Sequence, residues 1–142
     1  MFKLLIPVDG SEKSEHAIEY LIGLVKKFKT RVKSHLLNVQ LPLPYGDFKK
    51  FIQKEDIDSF YQEEGTKAMK SASMLLDQAN IQYTKSIEIG QIAEIIVSYA
   101  SENKFDQIIM GTRGLGAISN LLIGSVASKV IALTKLSVTL VK

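Results

Sequence analysis

Short apolar runs and amphipathic stretches alternate from one end of the chain to the other, and no other feature restricts the fold as much. FKLLIPV, residues 2–8, is apolar at successive positions, the pattern of a strand buried on both faces. DGS follows as a turn and helix start. Over residues 12–29 apolar side chains recur at helical spacing: Ala17, Leu21, Leu24 and Phe28, flanked by Ile18, Ile22 and Val25. Glu12 and Glu15 open that helix and Lys26, Lys27 and Lys29 close it, the signs its dipole favours. VKSHLLNV, residues 32–39, reads as a second strand, and the proline-rich LPLPYGD, residues 41–47, as a loop. A second helix starts between positions 52 and 56 and ends near 79, with Phe60, Ala68, Ala72, Leu75, Leu76 and Ala79 toward the core and Asn80 as its stop. IQYTKSIEI, residues 81–89, alternates with period two as a third strand that Gly90 ends. Residues 92–103 fit a third helix with Ile92, Ile95, Ile96 and Tyr99 inward. FDQIIMG, residues 105–111, is a fourth strand, residues 125–133 a short helix, and LSVTLV, residues 136–141, a fifth strand.

This order, without repeat or linker, implies a single α/β domain over residues 1–142: one mainly parallel sheet with helices on both faces. Strand order is not contained in the pattern. An order of 3-2-1-4-5 would set the ends of strands one and four side by side, where ligands collect in such sheets. The chain's 142 residues, 46% of them hydrophobic, suffice for one packed core. The absence of cysteine excludes disulfides, thiolate metal sites and cysteine nucleophiles, and fits a cytoplasmic setting. His16 and His35 are the only histidines, which argues against a histidine-built metal site; both read as structural or solvated. The opening apolar run stops at Asp9, too short for a signal peptide, and no stretch is long enough to span a membrane. The basic run KKFKTRVK, residues 26–33, reads as a helix end; no aromatic platform accompanies it to suggest nucleic acid.

The glycines concentrate in GTRGLGAISNLLIGS, residues 111–125, between the fourth strand and the last helix. No lysine follows Gly116 or Gly124, so the loop is not a P-loop. The dinucleotide fingerprint belongs after the first strand, and GTRGLG has its spacing reversed. Gly111 and Gly114 would let a ligand approach the backbone at the strand's end. Gly124 and Ser125 open a helix whose unpaired N–H groups suit an anion, and Arg113 adds charge. The same residues also read as a plain turn with Ser125 as its cap. Asp9 reads two ways as well: a cap for the first helix, with Glu12 as a capping box and Ser11 as the alternative cap, or a group facing ribose or a phosphate-bound Mg2+. No nucleophile–base pair stands out.

Gly111-x2-Gly114-x9-Gly124-Ser125 resembles the signature G-x2-G-x9-G-[S/T] of the ATP-binding universal stress proteins. LLIPVDGSEKSEHAIEYLIGLVKKF, HLLNV and DQIIMGTRGLGAISNLLIGSVASKVI resemble that family's first strand and helix, second strand, and fourth strand with its loop. The resemblance implies a five-stranded parallel sheet and ATP, with Mg2+, beyond strands one and four. It places Pro7, Val8 and Asp9 at the adenosine end and the backbone of Val39 at the adenine. Met110, Gly111, Arg113 and Gly114 then flank ribose and phosphates, and Gly124, Ser125 and Val126 cradle the phosphates. It also implies a homodimer paired through residues 136–141, the reading preferred to the alternative in which Lys135 and Lys142 are charged guards of that edge. Two positions depart from the family pattern: Gly90-Gln91-Ile92-Ala93 lacks the usual proline at the third helix, and Ser137 replaces another before the last strand.

The function implied is a nucleotide-responsive regulator with at most slow ATP hydrolysis, acting on an unknown protein partner. A nucleotide-independent scaffold of the same fold is the alternative. An adenylate-forming enzyme would need an SGGxDS-like loop after strand one, where this chain has PVDGSEKS. Residues 41–55 are the expected seat of individual specificity.

Overall fold

The structure, a computed structural model, describes residues 1–44, 52–114 and 122–142. Gly116 and much of the 41–55 loop, both given roles from sequence, lie outside the described residues. The strands are β1 (Phe2–Pro7), β2 (Val32–Gln40), β3 (Tyr83–Ile89), β4 (Gln107–Gly111) and β5 (Ser137–Val141). The helices are α1 (Glu12–Phe28), α2 (Lys54–Gln78), α3 (Ile92–Glu102) and α4 (Ser125–Leu133). The sheet runs β3-β2-β1-β4-β5 with every pairing parallel, so the domain is the α/β form expected and the ends of β1 and β4 are neighbours.

The central strand shows why its sequence is apolar at every position from 4 to 8. Leu4, Ile6 and Val8 join Ala17, Ile18 and Leu21 of α1 and Met69, Ala72 and Leu76 of α2 in one core. Leu5 faces the opposite way, into a second core with Ala93, Ile96 and Ala100 of α3 and Ala127 and Val130 of α4. A strand covered on both faces has no solvated side to mark with polar residues. Complete burial of a leucine or isoleucine, as at Leu5 and Ile6, is worth about 1.5–3 kcal/mol each.

Strands three and four begin two residues later than their apolar patterns suggest, for one reason. Asn80 and Lys104 take left-handed φ values of 56° and 55°. Beyond them, Ile81 N–H donates to Leu76 O at 3.0 Å and Phe105 N–H to Ala100 O at 2.9 Å. Ile81 and Phe105 thus close the preceding helices in Schellman motifs instead of opening strands.

The second half of α2 buries Ala72 and Leu76 as expected, with Leu75 packed against the same core. Its first half departs: Tyr61, Gly65 and Met69 are buried, whereas Phe60 is 42% exposed. Gly65 accounts for this: a Cβ there would run into the Ile87 side chain, so α2 seats its glycine against β3. A glycine adds nothing to an apolar pattern, which conceals the stripe from sequence. No helix among the described residues is long and apolar enough to cross a membrane.

Candidate functional site

The β1–α1 turn satisfies itself. Ser11 is the N-cap of α1, its Oγ accepting from Ser14 N–H at 3.3 Å. Asp9 Oδ1 accepts from Ser11 N–H and from Ser14 Oγ, both at 2.9 Å, while Asp9 N–H donates to Ser14 Oγ at 3.1 Å. The cap therefore belongs to Ser11, and Asp9 braces the turn from the crevice side. Of the two readings of Asp9, the capping box with Glu12 does not form; Asp9 stands at the crevice. Gly10 supplies the left-handed φ of 84° that the turn needs.

The β4–α4 connection is built differently. Gly124 is the N-cap of α4 and has no side chain to cap it with. Its N–H donates to Thr112 O at 2.6 Å, which ties the start of α4 to the end of β4. The orphan N–H groups and positive dipole end of this first turn face the crevice through Ser125, Val126 and Ala127.

Gly111 and Gly114 serve neighbours as well as open space. A Cβ on Gly111 would lie 2.6 Å from the Lys13 carbonyl oxygen, so this glycine lets α1 rest on the end of β4. A Cβ on Gly114 would strike Asp9 Oδ2. The second glycine thus leaves room for the carboxylate of the opposite turn.

These elements surround one cavity of about 660 Å3 at the carboxyl ends of the strands. All eleven residues proposed from sequence line it: Pro7, Val8 and Asp9 from β1 and its turn, and Val39 from β2. Met110, Gly111, Arg113 and Gly114 come from β4 and beyond, and Gly124, Ser125 and Val126 from α4. The volume falls within the usual range of small-molecule sites.

Sequence reading missed the wall away from α4. Asn38 and Gln40 of β2, Phe60 and Glu64 of α2, and Ile92 of α3 also line the cavity. Asn38 is 4% exposed and donates through Nδ2 to Val8 O at 2.9 Å, clamping the ends of β1 and β2 together. The available signal was polarity: Asn38 interrupts the apolar stretch of residues 36–39 at the end of β2.

The two histidines stand outside the cavity. His16 Nδ1 lies 3.0 Å from Lys142 O. His35 contacts Thr84 Oγ1 at 2.6 Å and the Tyr99 hydroxyl at 3.0 Å, and stacks on the Tyr99 ring. Burial first, and the charge of Lys3 second, lower its pKa, which favours the neutral imidazole in this network.

Fold and site together define a doubly wound α/β protein with a crevice between β1 and β4, where the strand order reverses. The model of the universal stress protein family matches residues 1–142, and the chain belongs to that family. It is 30% identical to the universal stress protein MJ0531 of Methanocaldococcus jannaschii over 99% of this chain and 81% of that one. The solved structure of MJ0577 superposes with a TM-score of 0.82 at 28% identity, covering 99% of this chain and 95% of the other. Three solved members at 17–20% identity share the fold with TM-scores of 0.69–0.71, covering 99–100% of this chain and 92–98% of theirs. One is in complex with cAMP, one from Archaeoglobus fulgidus with dAMP, and one from Arabidopsis thaliana with AMP.

Proposed function

We propose that this chain is an adenine-nucleotide-binding stress protein that takes ATP with Mg2+ in the β1/β4 crevice and acts as a nucleotide-responsive regulator. The observation that carries this reading is the convergence of the Gly111–Gly114–Gly124–Ser125 signature on a single cavity, with the uncapped start of α4 at one end. Solved relatives with cAMP, dAMP and AMP support the adenine class of ligand. In this reading the N–H groups at Ser125 and Val126, the Ser125 hydroxyl and Arg113 hold the phosphates. Asp9 is the carboxylate nearest the ribose and the metal, and Pro7, Val8, Val39 and Met110 frame the nucleoside. Turnover is slow at most, because Asp9, the candidate base beside Gly114, has its Oδ1 committed to Ser11 and Ser14.

Titration calorimetry with Mg-ATP tests the site. Wild type is expected to bind, and Gly124→Ala to lose at least about tenfold in affinity with an unchanged circular dichroism spectrum. Equal affinity in the two proteins would sink the phosphate assignment. Absence of binding by wild type would favour the scaffold. Pairing of two copies through β5, an edge strand, belongs to the same proposal. A monomer by light scattering at working concentration would exclude it.

A further inference from the structure

We propose that Gln40 reads the base: its Oε1 accepts a hydrogen bond from the exocyclic amino group of a 6-aminopurine, so the site prefers adenine to 6-oxopurine nucleotides. This rests on the nucleotide reading above and adds to it a side chain that the glycine signature does not contain.

The orientation of the Gln40 amide follows from donor and acceptor chemistry. The Val8 carbonyl can only accept, so the Asn38 atom 2.9 Å from it is the amide nitrogen. Asn38 Oδ1 is thereby fixed as the other atom, and it accepts from Gln40 Nε2 at 3.1 Å. Gln40 Nε2 also donates to the Tyr61 carbonyl at 2.8 Å, another group that can only accept. Both amide hydrogens of Gln40 are therefore committed. Oε1 accepts from no described residue, is not sealed from solvent, and belongs to a residue that lines the cavity.

Position favours a base at this wall. With phosphates at α4, beyond β4, a nucleotide crosses β1 and arrives at β2; three adjacent strands span roughly 10 Å. There the cavity is walled by Val39, Leu41, Phe60 and Ile92, an apolar surround for a flat ring. An acceptor whose own amide hydrogens are already committed selects a donor and disfavours a second acceptor. The 6-amino group of adenine is a donor; the 6-oxo group of hypoxanthine or guanine is an acceptor.

Calorimetric titration of the full chain with ATP and ITP, each with Mg2+, tests the assignment. Wild type is expected to prefer ATP by about tenfold or more. Gln40→Leu, which keeps bulk and loses the acceptor, is expected to narrow that preference about fivefold. Purine riboside triphosphate, which has no 6-substituent, tests the same contact in wild type and is expected to bind about fivefold more weakly than ATP. Equal wild-type affinity for ATP and ITP would overturn the assignment. So would a Gln40→Leu protein that loses both affinities in the same ratio, because Gln40 would then only latch β2 to α2. Wild type that binds no adenine nucleotide would overturn the nucleotide reading itself, and this assignment with it; the ratio outcomes leave that reading standing.

Discussion

The two strand-to-helix junctions of the crevice solve one problem in opposite ways. At β1–α1 the first turn is served by the protein's own groups: Ser11 caps, and Asp9 and Ser14 lock the loop. At β4–α4 the N-cap is a glycine without a side chain, and the first turn faces the cavity. Both helices begin with the same orphan N–H groups. One start is internally satisfied and fixes the crevice wall; the other has no side-chain cap and lies on the cavity. The two starts are coupled where they touch, since Gly114 yields its space to Asp9 and Gly111 yields to the backbone of α1.

The largest effect should come from Gly111→Ala. Its new Cβ would sit 2.6 Å from the Lys13 carbonyl oxygen and 2.7 Å from its carbonyl carbon, atoms that cannot rotate away. The expected loss is about 3 kcal/mol of folding stability, measured by urea denaturation, because α1 must lift from β4. A near-neutral result would mean that the two junctions do not share a wall.

A smaller effect separates contact from conformation. Gly114→Ala should cost about 1–2 kcal/mol by displacing the Asp9 carboxylate from its bonds to Ser11 and Ser14. In an Asp9→Ala background the same substitution should cost almost nothing, so the double-mutant cycle should show coupling of about 1 kcal/mol. Additive losses would show that Gly114 answers to backbone conformation alone.

These glycines mark how far the sequence could be read. The element order was legible because strands buried on both faces and helices buried on one carry different periods, as FKLLIPV and residues 12–29 do. The crevice was legible because the spacing of Gly111, Gly114, Gly124 and Ser125 is local and sparse. The inward face of the first half of α2 was not, because its stripe passes through Gly65, whose role appears only once Ile87 of β3 lies against it. Nor was the wall formed by β2 and α2. Asn38 and Gln40 look like polar interruptions of a strand until Val8 and Tyr61, 30 and 21 residues away, offer their carbonyls. The starts of β3 and β4 were misplaced because a Schellman closure uses the same apolar residue, Ile81 or Phe105, that would open a strand.

The finest test sets two serines against each other. Ser11 and Ser125 both stand at helix starts, and sequence offers each as a cap. The structure gives the N-cap of α1 to Ser11 and that of α4 to Gly124, leaving Ser125 as the first helical residue, exposed at the cavity. Ser11→Ala should therefore cost about 1 kcal/mol of stability, the usual worth of a capping side chain. Its effect on Mg-ATP affinity should be small, because Asp9 and Ser14 still hold each other. Ser125→Ala should show the reverse: stability within about 0.5 kcal/mol of wild type, with affinity for Mg-ATP about fivefold lower through the lost hydroxyl donor. Melting curves and titrations on the two variants, each with and without nucleotide, read all four quantities. A Ser125→Ala protein that loses stability and keeps its affinity would make α4 a second self-capped helix, and the contrast between the junctions would be gone.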